Sequence, residues 1–315
     1  MNACVDILFT VLKGHFVAHA CQQLGITNCS DTPPNFPSLK TRDEKFAFIT
    51  KLARQVVEDT TINAESLLGN EVKISGDKVY SYSRMFCHFG SIALEFHNAG
   101  LWGDGDRIDR CWKILLLHFH CDKCSKYAWE ALKLRFQLEY LPPSLAYQVK
   151  WGRFVNVRGG EGNNIPCDLY NEHLNKLFKE IIQNMGSNLT ERAAQRAARS
   201  VSTLHEFTRV FDDQTYIPFT SSTHTTKSDK DDVEKVVTVL LKNKNLQIIK
   251  GRKHAMFSNI EDDPLHGLDR KKMFEWIEKK KKEITKFKYA MGEGDLSDSD
   301  ASDDNDGHET ETDSN

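Results

Sequence analysis

The sequence predicts a mainly α-helical protein, with one multi-helical domain over residues 1–290 and a disordered acidic tail over residues 291–315. Apolar residues recur with a period of about 3.6 along most of the chain, which is typical of amphipathic helices. Only residues 154–157 and 246–249 look like strands, and both are short. The last 25 residues hold ten Asp or Glu and no Lys or Arg. Such a segment gains too little burial to offset the entropy lost on ordering, so we expect disorder.

The first half of the chain contains five predicted helices. An apolar stripe covers residues 4–24, and a proline-containing linker follows over residues 26–40. Thr41 and Glu44 have the spacing of a capping box, which predicts a helix start. Further stripes over 79–98, 106–119 and 126–140 predict three more helices, the last ending before Pro142 and Pro143. The apolar face after the capping box consists of Phe46, Ile49, Leu52, Ala53 and Val56.

The second half contains four more predicted helices. One begins at about Asp168, and Asn188 with Glu191 is predicted to start another over residues 189–211. A polar linker is predicted over 212–228, after which Ser228 starts a helix that ends near Lys244. Residues 269–288 form an amphipathic helix in which spaced apolar residues flank four consecutive lysines.

Charge and targeting signals limit the classes of function. The whole chain carries −3 and the tail −10, so residues 1–290 carry +7. The N-terminus has no basic residue before its apolar run, and no later apolar run is long enough to span a bilayer. Eight dispersed cysteines do not form the dense framework of a secreted domain. We therefore expect an intracellular protein, nuclear or cytoplasmic, with no membrane association.

Two basic groups predict contacts with DNA or RNA. Arg192, Arg196 and Arg199 share one helical face, opposite Ala193, Ala197 and Val201, and could follow a phosphate backbone. The second group is the lysine run Lys279, Lys280, Lys281 and Lys282, which also resembles a nuclear import signal. A solvated basic face is the alternative in both cases. The acidic tail either keeps the chain soluble or binds a protein partner.

Three motifs resemble ligand sites but lack required residues. Cys121 and Cys124 with one nearby histidine provide three of the four ligands of a structural zinc site, and there is no second Cys-x-x-Cys, so zinc is not predicted. The aspartates of residues 104–109 fail as a calcium loop, because Asp109 and Leu115 stand where glycine and glutamate are needed. We expect Asp104 or Asp106 to cap a helix instead. The glycine-rich segment 158–164 matches no phosphate-binding motif and is predicted to be a surface loop.

The segment NNIPCDLYNEHL at residues 163–174 has two interpretations. Asp168 is well placed to cap a helix, and Glu172 precedes Lys176 by one turn in the favourable order for an ion pair. Alternatively, Asp168, Glu172 and His173 belong to a catalytic site in which carboxylates share a divalent metal. The second interpretation requires acids from distant segments, which the sequence does not identify.

Several long runs resemble a known protein family. They cover residues 36–58, 106–120, 125–204, 227–241, 251–257 and 263–267, and the segment around Asn164–Asp168 and Glu172–Asn175 is the most specific. The chain resembles a large family of uncharacterised proteins encoded by mobile elements and known only as a domain of unknown function. The resemblance implies a helical elaboration of a transposase, with Glu172 as its last catalytic acid and Asp168 or His173 as auxiliaries. Longer relatives carry an upstream Gly-Asp-Gln-Leu-Thr segment that this sequence lacks.

Two classes of function follow from these observations. The first is the helical C-terminal portion of a transposase-like protein, which binds nucleic acid and is not catalytic alone. No cofactor is established, and a divalent metal is implied only if Glu172 is catalytic. The second is a nuclear or cytosolic interaction scaffold without chemistry. A zinc-stabilised helical module is a third, disfavoured reading.

Overall fold

The computed structural model describes residues 3–34, 36–61, 75–157, 159–215 and 228–290. Within these ranges the chain forms ten α-helices and one pair of short antiparallel strands, which confirms the mainly α-helical fold class. The predicted acidic tail lies outside the described residues. The helices are α1 (Ala3–Gln23), α2 (Arg42–Thr60), α3 (Lys78–Trp102), α4 (Gly105–Cys121), α5 (Ser125–Tyr140), α6 (Pro143–Trp151), α7 (Cys167–Met185), α8 (Glu191–Thr215), α9 (Lys230–Lys242) and α10 (Arg270–Ala290), and the strands are β1 (Phe154–Val155) and β2 (Ile165–Pro166).

The chain divides into two compact units, Met1–Leu268 and Asp269–Asn315. The first unit contains α1 to α9 and the strand pair. Within the described residues, the secondary structure of the second unit consists of α10.

Side-chain caps set the starts of several helices. The predicted capping box of α2 is confirmed, since the Glu44 amide donates to Thr41 Oγ1 at 3.2 Å and the Thr41 amide donates to Glu44 Oε2 at 3.1 Å. Asp104 caps α4 as expected, accepting from two backbone amides at 3.0 Å. Pro143, which ends the α5 pattern, also begins α6, a helix that the sequence reading missed. Proline suits the first turn because its missing amide would be unpaired there.

Helix α1 forms the centre of the first unit. It packs against α2, α3 and α9. Its contact with α9 is very close at Gly14, where an added Cβ would lie 2.8 Å from Val236 Cβ. α1 is the one helix among the described residues that is apolar and long enough to cross a membrane, with mean hydropathy 1.3 over Cys4–Gln23. It packs against three helices of the first unit, and 33% of this apolar window is buried. The core between α1 and α9 comprises Ala18, Cys21, Val237, Leu240 and Leu246.

Three predicted elements differ from the structure. Residues 246–249 form a turn and an irregular segment rather than a strand, because Leu246 joins the α1–α9 core and the Ile249 amide donates to Asp77. Helix α8 is capped by Thr190, whose Oγ1 accepts from the Ala193 amide at 3.2 Å, and not by Asn188. It also extends to Thr215, into the predicted linker, of which residues 216–227 lie outside the described residues.

Apolar residues of α2 depart from the expected burial. Val56 is buried, but Phe46 is 72% exposed and Ile49 is 62% exposed. Ile49 and Val56 lie two turns apart on the same face of α2, so burial changes along the helix: Val56, in the last turns, packs into the core, whereas Phe46 and Ile49, in the first turns, are exposed.

Candidate functional site

The segment with the most specific sequence signature forms a small structural hairpin. Phe154 pairs with Pro166 and Val155 pairs with Ile165 in antiparallel register. The intervening loop turns through Gly159, Gly160 and Gly162, whose φ angles of +73°, +75° and +72° favour glycine. The prediction of a surface loop here agrees with this geometry.

Asn164 fixes this hairpin to the end of α3. Its backbone amide and its side-chain Nδ2 donate to the Leu101 carbonyl at 3.0 and 2.9 Å. At the other end, the Cys167 amide donates to the Arg153 carbonyl at 2.8 Å. These contacts give Asn164 and Cys167 structural roles, because both join the start of α7 to earlier elements.

The three catalytic candidates lie on the exposed first turns of α7. Asp168 is not the helix cap, because α7 already begins at Cys167. The residue before it, Pro166, is the last residue of strand β2 and pairs with Phe154. Asp168 Oδ1 instead accepts from the Leu169 amide at 2.9 Å, within the first turn, where an acid is favoured by the helix dipole. Glu172 and His173 are also exposed. Glu172 borders a surface depression of about 500 Å³ that includes two lysines and a second glutamate of the same helix, Lys176, Lys179 and Glu180.

The aspartates of residues 104–109, which could have supplied distant acids to Glu172, have other partners. Asp104 caps α4, and Asp106 pairs with Lys150. Asp109 is nearly buried and pairs with Arg135 and with Lys113 at 3.0 Å. Burial alone would raise the pKa of Asp109, but these two cations outweigh it and lower the pKa. Among the described residues, no three His, Cys, Asp or Glu side chains form a group that could hold a metal.

The residues of the Cys-x-x-Cys motif are engaged separately. Cys121 Sγ donates to the His266 carbonyl at 3.3 Å, while Cys124 is exposed and its Sγ lies 3.8 Å from the Asp122 carbonyl. His118 points into the core, where its Nε2 lies 3.3 Å from His88 Nε2. The two Nε2 atoms face each other in a hydrogen bond, and the ring centroids are 5.4 Å apart.

The arginine stripe has the predicted orientation. Arg192, Arg196 and Arg199 are exposed on α8, while Ala197 and Val201 are buried on its other side. α8 packs against α7, so the stripe and the Glu172 turn belong to one helical hairpin.

Most of the basic excess of the folded part lies in α10. This helix holds nine Lys or Arg and three Glu, a net charge of +6, whereas residues 1–290 together carry +7. Lys279, Lys281 and Lys282 are exposed, and Lys280 pairs with Glu283 at 2.6 Å. Residues 1–269 therefore carry a net charge of only +1. The sequence analysis did not predict this concentration of positive charge in α10.

A second concave feature lies in the first unit, between α1, α3 and the segment 259–266. It encloses about 610 Å³. Its apolar wall includes Leu8, Met85 and Phe86, and its rim includes Glu261 and Asp263. Of these residues, only Asp263 lies in a run singled out in the sequence, 263–267, so it is the packing of distant segments that reveals the feature.

Comparison with known proteins identifies the family. A family of unknown function, DUF6589, matches residues 2–224. The chain belongs to this family. No curated protein and no solved structure matches it.

The match to the DUF6589 family covers α1 to α8 but ends before α9. The first compact unit nevertheless continues to Leu268, and α9 completes the core around α1. Residues beyond the match are thus part of the same folded unit in this DUF6589 protein.

Proposed function

We propose that this protein derives from a mobile element, corresponds to the helical C-terminal portion of a transposase-like protein, and binds nucleic acid without catalytic activity of its own. The family model supports the resemblance to proteins known as a domain of unknown function. The proposed mobile-element origin rests on the resemblance of the sequence runs. The proposed location is intracellular, in the nucleus or cytoplasm.

The observation that carries this proposal is the concentration of positive charge in α10. A net charge of +6 on one 21-residue helix creates a strong local field, while the rest of the folded chain is nearly neutral. Phosphate backbones bind such surfaces by releasing counterions, with about 0.9 ion released per phosphate neutralised on duplex DNA. The exposed stripe of Arg192, Arg196 and Arg199 is the proposed second contact.

Salt-dependent binding tests this proposal. The full chain is titrated with fluorescent DNA and RNA, each as duplex and as single strand, across a salt series. Replacing the four lysines Lys279, Lys280, Lys281 and Lys282 by Gln is expected to weaken binding to all sequences. On duplex DNA it should also make the slope of the logarithm of the binding constant against the logarithm of the salt concentration less steep, by about 3 to 4. Replacing the three arginines by Gln should give a smaller reduction of the same kind.

The control has the same change of charge on another exposed helix. Arg42, Lys45, Lys51 and Arg54 of α2 are all exposed, and their replacement by Gln also removes four positive charges. Unchanged binding in this control, with loss in the α10 variant, would support a contact at α10. Equal losses of affinity in both variants would mean that only the net charge of the protein matters and not a contact at α10. No binding at low salt would refute the nucleic-acid role.

The α2 surface favours an interaction scaffold as the second candidate function. Phe46 is 72% exposed, Ile49 is 62% exposed and Val57 is 49% exposed, at positions that share one helical face. Exposed apolar groups on one face are typical of protein-binding surfaces. Replacing Phe46 and Ile49 by Asp should then abolish self-association or partner capture without unfolding the protein, which light scattering and circular dichroism would measure.

A further inference from the structure

We propose that the 610 Å³ cavity of the first unit binds an amphipathic cation, a molecule with an apolar body and a protonated amine at one end. This inference is independent of nucleic-acid binding, since the cavity and α10 belong to different compact units. Its size lies within the range of small-ligand pockets, about 300 to 1,000 Å³.

The body of the cavity is apolar and aromatic. Leu8 of α1 lines it together with Tyr82, Met85, Phe86 and Phe89 of α3. Tyr82 and Phe89 are each 38% exposed, so they are accessible from solvent. An apolar ligand gains free energy by covering such surface, and aromatic ring faces also attract cations.

The polar rim carries one sign of charge. Asp122, Glu261 and Asp263 all line the cavity, and Lys and Arg do not. Within the described part of the chain, none of the three carboxylates forms an ion pair with Lys or Arg. A bound amine would therefore meet carboxylates that form no ion pair with the described Lys and Arg residues, whereas a carboxylate ligand would be repelled.

The acidic wall is held in place before any ligand binds. Asp262, in the middle of the segment 259–266, accepts hydrogen bonds at 2.9 Å from both the backbone amide and the hydroxyl of Ser75. Lys78 Nζ donates to the Ile260 carbonyl at 2.5 Å. Leu265 is buried against α3 and α4, where it contacts Met85. Preorganisation of this kind lowers the entropic cost of binding.

The aromatic wall is equally fixed. Phe89 packs edge to face against two buried histidines, with centroid distances of 5.3 Å to His88 and 4.8 Å to His118. The pocket therefore has a packed aromatic wall and an acidic rim whose backbone is held by hydrogen bonds, and the two features select the same ligand chemistry.

Three probes of equal length separate the charge from the apolar body: decylamine, decanol and decanoate, each below its critical micelle concentration. The full chain is labelled with ¹³C-methyl methionine, which gives six signals including that of Met85 in the cavity wall. Decylamine should shift the Met85 signal in a saturable manner and leave that of the exposed Met256 unchanged. We expect decylamine to bind up to about fivefold more tightly than decanol, and decanoate to bind most weakly.

Three variants complete the test. Glu261→Gln with Asp263→Asn should bring the affinity for decylamine close to that for decanol, with Asp122 as the remaining rim carboxylate, while a matched pair of exposed acids, Glu58→Gln with Asp231→Asn, should leave it unchanged. Ala93→Phe should block all three probes by filling the cavity. Decanoate binding as tightly as decylamine, or no saturable Met85 shift with any probe, would overturn the proposal even if the Ala93 variant fails to fold.

Discussion

Asp77 and Arg252 form a bidentate ion pair that links the start of α3 to the segment after α9. Arg252 Nη2 donates to Asp77 Oδ2 at 2.7 Å and Nε donates to Oδ1 at 2.8 Å. Asp77 is fully buried and also caps α3, accepting from the Val79 and Tyr80 amides. The same guanidinium donates to carbonyls just after α9, those of Asn243 and Lys244. One pair therefore joins residues within the family match to residues beyond it.

Breaking this pair should strongly destabilise the protein. Arg252→Ala leaves the buried Asp77 carboxylate without its cation, which typically costs about 3 to 5 kcal/mol of unfolding free energy. Urea denaturation followed by circular dichroism measures the loss. As a control, Lys235→Ala removes an exposed pair with Asp232 and should change stability by less than about 1 kcal/mol. Similar small effects for both variants would show that Arg252 does not anchor the fold.

Lowering the pH should reduce the free energy of unfolding already at pH values above those at which carboxylates titrate. Burial lowers the pKa of His88 to about 4, with smaller contributions from His118 and Arg84. Burial likewise lowers the pKa of His19 to about 4, although Asp59 opposes the shift. In the unfolded chain these histidines protonate near pH 6.5. The unfolded state therefore binds more protons between about pH 6.5 and 4, so stability is complete above this window and falls as the pH decreases through it.

The His88 contribution can be isolated. His88→Gln removes one titrating group and should make the slope of unfolding free energy against pH shallower by up to about 1.4 kcal/mol per pH unit in this window. The control variant Asn175→Gln replaces an exposed side chain that does not titrate and should leave the slope unchanged. Urea titrations at several pH values measure both slopes, and an unaltered slope in His88→Gln contradicts the burial argument.

Local signals in the sequence predicted most of the helices and the caps Thr41 and Asp104, but they missed α6 and the Thr190 cap and did not predict contacts between distant segments. Thr41 and Glu44 act within four residues, so their spacing alone predicts the capping box. Asp77 precedes an apolar stripe like any helix cap, and its partner Arg252 lies 175 residues away without a recognisable pattern. Residues 246–249 have strand-like composition, but the burial of Leu246 against α1 and α9 overrides that local preference.

The site predictions show the same limit. The exposed arginines of α8 follow from helical periodicity, whereas the absence of a metal-binding group among the described residues depends on where the acids of α4 point. Asp109 pairs with Arg135 of α5 and so does not approach Glu172 as a ligand. The cavity combines α1, α3 and a late loop, and no single stretch of sequence encodes it.

Divalent metal should have no specific effect at Glu172. Its exposed carboxylate belongs to no group of three metal-ligating side chains within the described ranges. A ligand that binds the folded state raises the melting temperature, so millimolar Mg²⁺ or Mn²⁺ should give the same small shift in the wild type and in Glu172→Gln. A shift that occurs only in the wild type, or metal-dependent cleavage of DNA that Glu172→Gln abolishes, would restore the catalytic interpretation.

Two glycine substitutions should have opposite effects on stability, because the packing around the two helices differs. At Gly14 of α1 an added Cβ would lie 2.8 Å from Val236 Cβ, so Gly14→Ala should destabilise the protein by about 1 to 3 kcal/mol through overpacking. At Gly100 of α3 an added Cβ would meet no atom within 4 Å, so Gly100→Ala should stabilise it by about 0.5 to 1 kcal/mol through helix propensity. Urea denaturation measures both changes. Val236→Ala removes Val236 Cγ1, the atom nearest to the added Cβ, so combining it with Gly14→Ala should recover part of the loss. Additive destabilisation in that double variant would mean that α1 and α9 do not meet at this contact.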